Sequence, residues 1–306
     1  DIHMSSFIGT AEQLIAHKKQ WQGTLMMVAQ PAEEVGGGAK AMLSEGLFSK
    51  YAKPDHIIAL HVSASVPAGK VSMKNEYTMA SVDSVDITIK GKGGHGAYPH
   101  TTIDPVVIAA RTVLALQTIT SRELSPLEPS VITVGSIHGG SKHNVISDEV
   151  KLQLTLRSYN PDVRSAQIAA IKRITAGIAQ SAGLDESSYP VVYVHEDESI
   201  PSTYNNPAQT DIVRNSIASA IGDTNVLETQ AVMAGEDFGL YGRTDENIPI
   251  TLFWLGGVNQ AQYADSIKTG EVLPSLHSSK FAPDYKVAIP TGIKALSNAA
   301  VALFNK

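Results

Sequence analysis

Cysteine is absent from this 306-residue sequence. That excludes a disulfide framework and a thiolate nucleophile. Charge is sparse, at 18% of residues, and slightly acidic, with 24 Lys and Arg against 30 Asp and Glu. The electrostatic footprint of a nucleic-acid-binding surface is therefore missing. The densest basic cluster, His17-Lys18-Lys19, is short and reads as a solvated helix end. No apolar run reaches the ~18 residues that a bilayer span needs. No Gly-x-Ser-x-Gly occurs, which removes the nucleophile elbow of a serine hydrolase. No internal repeat, low-complexity tract or signal peptide is visible, and the first residue is Asp1 rather than Met. What is present is an ordinary globular balance, 43% hydrophobic, over a length that suits two domains or one large one.

The hydrophobic pattern divides the chain by style. Phe7, Ile8, Ala11, Leu14 and Ile15 recur at helical spacing, with Gly23 past the stop. Thr24–Gln30 and His56–Val62 are continuous apolar runs, the mark of strands buried on both faces. A short helix over Ala39–Glu45 separates them. Near residue 77 the style changes to alternation. Strands are predicted around Val85–Ile89, Val131–Ile137, Val150–Leu156 and Val191–His195, with helices over Asp104–Leu124 and Pro161–Ala182. That order is β-α-β-β-α-β, a ferredoxin-like split arrangement. Afterwards the first style resumes. Asn206-Pro207 starts a helix that Gly222 ends, Thr251–Leu255 is a buried strand, and a last helix covers Asp284–Phe304. The expected fold class is α/β, a mostly parallel sheet interrupted by an inserted ferredoxin-like domain. The expected boundaries are 1–77 with 192–306 for the sheet domain and 78–191 for the insert.

Four segments carry residues able to do chemistry. Gln30-Pro-Ala-Glu-Glu-Val-Gly36 places two adjacent carboxylates, Glu33 and Glu34, just past a buried strand, where open α/β sheets bind ligands. One can ligate a metal while the other acts as general base; the plain alternative is a solvated turn. His61 sits near the end of the next buried strand, where an imidazole needs a partner. Histidine with carboxylate suits zinc or a similar divalent ion; a core histidine bonded to backbone is the alternative. Gly91–His100 holds His95 between glycines, able to donate to a developing oxyanion or simply to sit at a hairpin tip. His277 lies in a loop before the last helix, and Gly235-Glu-Asp-Phe238 offers carboxylates that can cap a helix or orient a ligand.

Together, Gln30–Gly38, Gly91–His100 with Asp104-Pro105, Met233–Phe238 and Leu276–Phe281 resemble the zinc-dependent aminoacylase/carboxypeptidase superfamily of metallopeptidases. The resemblance covers essentially the whole chain. Its nearest branch holds hippurate hydrolase, N-acyl-amino-acid amidohydrolases and auxin-conjugate hydrolases. It implies a metallopeptidase catalytic domain with a satellite lid domain. It also implies Glu33 as general base, Glu34, His61 and His277 as metal ligands, and His95 as the group that steadies the tetrahedral intermediate. Asn144 and Arg157 match positions near the substrate's polar groups. The implied substrate is an N-acyl amino acid, with a dipeptide as the near alternative. Homodimerisation through the satellite domain is also implied, by edge strand or helix, with Val150–Leu156 a compatible strand.

One departure matters. Family members carry His-Ala-Cys-Gly-His-Asp before the first helix, and its Cys and second His supply two metal ligands. This sequence begins Asp1-Ile-His-Met, matching that motif's final Asp and the residues after it. His3 is then a downstream helix position, not the lost ligand. Two divalent ions (Zn, Mn, Co or Ni) are expected in the full-length protein and one or none in this chain. The missing segment is expected to leave the catalytic sheet partly unpaired. The rival expectation is an inactive, metal-poor fragment that only binds or dimerises.

Overall fold

The computed structural model describes residues 1–305. In chain order the principal elements begin with α1 (Ile2–Ala16), α2 (Gly38–Ser44), α3 (Leu47–Lys50), β1 (Ile57–Pro67), β2 (Val71–Met73), β3 (Glu76–Met79) and β4 (Asp83–Lys90). They continue with β5 (Gly94–His95), α4 (Pro105–Thr118), β6 (Ser130–Gly139), β7 (Val145–Ile146), β8 (Glu149–Ser158), α5 (Pro161–Ser181) and β9 (Val191–Val194). They end with β10 (Thr203–Asn205), α6 (Pro207–Ile221), β11 (Val226–Glu228), β12 (Ile250–Val258), α7 (Gln260–Thr269) and α8 (Tyr285–Phe304). The chain forms two compact units. The first comprises 1–78, 204–232 and 237–306, and the second 79–203 with 233–236. The observed boundary at 203/204, against the expected 191/192, keeps β9 and the turn after it with the second unit.

The first unit is built on a four-stranded sheet ordered β1-β12-β2-β11. β12 lies inside it, parallel to β1 and antiparallel to β2, while β2 and β11 pair in parallel. All nine β12 residues are buried, which is why Ile250–Val258 reads as an unbroken apolar run. Ile2, Val213, Ile217, Ala288, Ala295 and Ala299 from α1, α6 and α8 pack with Val71, Met73, Phe253 and Leu255 into one core. By length and composition α8 is apolar enough to cross a bilayer, contrary to the expectation from apolar runs alone. Here its alanine face lies in that core. Asn206 caps α6 by accepting from the Gln209 amide, with Pro207 at the first helical position and Gly222 past the end, as read from the sequence.

Thr24–Gln30 is a correction. It is not a buried strand: it makes no ladder among the described residues, and its side chains are exposed or half-buried. A strand exists only through a neighbour that takes its backbone donors and acceptors, and no described strand pairs with this segment. β1 is a second correction. It runs on to Pro67, so His61 lies in mid-strand, opposite Trp254, and not near the strand's end.

The second unit is the β4-α4-β6-β8-α5-β9 split arrangement expected from the alternation. Its sheet is antiparallel and ordered β6-β8-β4-β9. β8 shows the cause: Val150, Leu152, Leu154 and Leu156 are buried while Lys151 and Gln153 are exposed. These side chains join Val85, Ile87 and Ile89 of β4, Ile108 and Leu116 of α4 and Ile171 of α5 in one core. β8 is flanked on both sides, so it is not the edge for a dimer; the edges are β6 and β9. The expected helix over Asp104–Leu124 ends its regular part at Thr118 and finishes in a π turn, Ile119–Glu123.

A buried ion pair ties this unit together. Asp83, wholly buried at the start of β4, accepts from Arg164 Nε on α5 at 2.8 Å and from Ser199 Oγ at 2.6 Å. Removing one partner of a buried pair leaves a charge without compensation. Arg164→Ala is expected to destabilise the second unit by about 3–5 kcal/mol. Hydrogen exchange along β4 and β8 should report that loss while β12 stays protected.

Candidate metal and catalytic site

The carboxylate pair sits in a tight turn flanked on both sides by left-handed residues. Ala32 enters it at φ 56° and Gly36 leaves it at φ 65°, with Glu33–Val35 as a single 3-10 turn between. The Gly36 amide closes the turn on the Glu33 carbonyl at 2.7 Å and the Gly37 amide on the Ala32 carbonyl at 3.3 Å. A left-handed alanine is uncommon and costs energy, so the surroundings must hold it. Gly38 contributes by absence: a Cβ there would lie 1.8 Å from the Pro31 carbonyl oxygen. Glu33 is half-buried and Glu34 exposed.

Glu34 Oε2 lies 3.6 Å from His277 Nε2, and both side chains are about three-quarters exposed. His277 is itself left-handed, at φ 64°, in the loop that precedes α8. His61, on β1, bonds through Nδ1 to the Val62 carbonyl oxygen at 2.8 Å. A carbonyl only accepts, so Nδ1 carries the proton and Nε2 keeps the lone pair. Burial chiefly, with His277 nearby, holds the His61 pKa below its usual value, against the opposing pull of the Val62 carbonyl and Glu34. A neutral imidazole with a fixed tautomer is what metal ligation requires. Two imidazoles and a carboxylate form a donor set suited to a divalent transition metal. The three lie in one electrostatic neighbourhood, but their ligand atoms are not drawn into a single tight group.

His3 is not available as a replacement ligand through Nε2, which accepts the Val62 amide at 2.8 Å. Its ring meets His61 edge-on at 4.8 Å. Lost hydration and then His61 lower its pKa to about 4, so it is neutral at pH 7. His61 also packs edge-on against Trp254, at 5.2 Å.

The second unit carries the other three residues. His95 is exposed on β5, opposite Val145 of β7. Its Nδ1 accepts the Ala97 amide at 3.1 Å, which puts the proton of the neutral ring on Nε2 and makes Nε2 a donor. The Gly96 amide donates to the Asn144 carbonyl at 2.9 Å, so the two-stranded β5/β7 ladder, closed between segments some fifty residues apart, brings Asn144 beside the His95-Gly96 pair. Arg157, on β8, is half-buried, and its Nη1 donates to the Met233 carbonyl at 3.3 Å. Burial lowers its pKa from the usual guanidinium value, with Asp83 acting the other way.

Sequence pattern alone does not single out Gln30 or Tyr241, and it leaves Asp237 with an unspecific role. Asp237 is wholly buried in the first unit, accepting from Gln30 Nε2 at 2.7 Å and from the Ala39 amide at 3.0 Å. Tyr241 donates its hydroxyl to Gln30 Oε1 at 2.7 Å. Glu33 and Asp237 offer carboxylate oxygens within 4.8 Å of one another.

Residues 1–271 match peptidase family M20/M25/M40. Thermostable carboxypeptidase 1 of Saccharolobus solfataricus is 35% identical over 308 aligned positions, covering 100% of this chain and 72% of the relative. The N-acetyldiaminopimelate deacetylase of Priestia megaterium is 34% identical over 261, covering 84% of this chain and 65% of the relative. Among solved structures, the YXEP protein of Bacillus subtilis, a dinuclear metal-binding peptidase of the M20 family, superposes with a TM-score of 0.77 at 25% identity. That match covers 100% of this chain and 72% of that one.

The turn geometry makes a paired prediction. Gly38→Ala forces backbone apart at Pro31 and should cost about 1–3 kcal/mol, as overpacking does. Gly37→Ala, with nothing within 4 Å of its Cβ and φ at −111°, should stay within about 0.5 kcal/mol of the parent. Thermal unfolding of the two variants side by side checks this.

Proposed function

The chain belongs to peptidase family M20/M25/M40, a family of hydrolases, and from that premise we propose a metal-dependent amidohydrolase that cleaves N-acyl amino acids to a carboxylic acid and a free amino acid. The observation that carries the proposal is the approach of Glu34 to His277 beside a neutral, tautomerically fixed His61. These three are the ligands contributed by this chain. The Cys and His of the family's upstream motif are the further ligands that a two-ion site would use, with Zn, Mn, Co or Ni as candidate metals. Held by such donors, divalent ions supply Lewis-acid polarisation of the scissile carbonyl and acidify the attacking water.

The chain's own residues do the rest. Glu33 takes a proton from the attacking water and returns it to the leaving nitrogen as the C–N bond breaks. His95 donates from Nε2 to the oxyanion of the tetrahedral intermediate. Asn144 and Arg157 take up the substrate's polar groups, the guanidinium offering a bidentate fork to a carboxylate. The second unit acts as a satellite lid and as the site of homodimerisation.

The deacetylase relative, whose name specifies an N-acetyl substrate, favours the acyl amino acid. The carboxypeptidase relative favours a second reading, in which a dipeptide takes its place.

The test is hydrolysis of a panel of N-acyl amino acids and dipeptides by this chain, alone and with the family's Cys-Gly-His segment joined upstream. The chain alone is expected to turn over little and the extended chain to be active. In the extended chain, Glu33→Gln should slow hydrolysis by at least about 10²-fold with its metal content unchanged. Loss of metal together with activity would contradict the assignment of Glu33 as base.

A further inference from the structure

We propose that Asp237 is a positioning residue that staples both stems of the loop carrying Glu33 and Glu34. The proposal rests on the metal-site reading above only for its functional consequence. Burying a carboxylate is expensive unless its oxygens are bonded, and Asp237 is wholly buried. Its two oxygens go to opposite stems of one loop. Oδ1 takes Gln30, three residues before Glu33, and Oδ2 takes the Ala39 amide, five residues after Glu34.

A carboxylate only accepts, so it dictates that Gln30 points its amide nitrogen inward. That leaves Gln30 Oε1 to accept the Tyr241 hydroxyl. The relay therefore has one direction, from Tyr241 through Gln30 to Asp237, and both ends of the Gln30 amide are committed. Between the two stems lies the left-handed Ala32. A strained non-glycine conformation persists where its surroundings over-determine it, and this staple does so. The carboxylates of Glu33 and Glu34 are thereby held in place by a residue far along the chain.

The test is Asp237→Asn, near-isosteric but with one acceptor replaced by a donor, so that one stem is released. Amide hydrogen exchange at Gly36, Gly37 and Ala39 should rise about tenfold or more, while amides of β12 keep their protection. Tyr241→Phe, which removes only the far link, should give a smaller rise at the same amides, and it carries the test if Asp237→Asn does not fold. In the folded variant the affinity for Zn²⁺ alone should fall by about tenfold, as when other supports behind a metal ligand are removed. Unchanged exchange at the turn, or a rise shared equally by β12, overturns the staple. A loosened turn with unchanged Zn²⁺ affinity overturns its role for the donors. No Zn²⁺ binding by the parent chain, with the exchange pattern as expected, sinks the metal-site reading and leaves the staple standing.

Discussion

The parallel pairing of β1 with β12 is the constraint on which the first unit depends. β12 is buried along its whole length and pairs with β1 in parallel register from Ile57 to Ser63. That register sets His61 opposite Trp254 and leaves its Nδ1 to the Val62 carbonyl. The tautomer of His61 follows from that bond to the carbonyl of the next residue. The same core seats α8, whose preceding loop delivers His277 to Glu34.

The two units solve different problems. The first gathers the proposed metal donors by long-range means: Glu34 from a strained turn, His61 from a strand, and His277 from a loop more than two hundred residues later. The second places Arg157 on a sheet of near-regular alternation, and its separate two-stranded ladder β5/β7 sets His95 near Asn144 with few specialised features beyond glycine. Its own coherence comes from apolar layering and one buried pair, Asp83 with Arg164.

Legibility in the sequence tracks periodicity. β4, β8 and α5 announce themselves through strict alternation or a continuous helical stripe, and the capped α6 through Asn206, Pro207 and Gly222. β2, β3, β10 and β11 are three or four residues long, too short to show a period. Thr24–Gln30 misleads because an apolar run reports burial preference, while a strand also needs a partner. α7 carries a readable cap in Asn259 but buries no side chain, so no apolar stripe marks it. The proposed metal donors stand in segments that resemble the family's motifs. Gln30 and Tyr241 are not, because their roles arise from hydrogen bonds between segments some two hundred residues apart.

The central claim is that Glu34, His61 and His277 form one donor set for a divalent ion. Titration of this chain with Co²⁺, followed by its visible absorption, tests it most directly. The account predicts weak one-to-one binding that is lost in His277→Ala and in Glu34→Gln. Absence of binding by the parent chain, or binding indifferent to both substitutions, would contradict it.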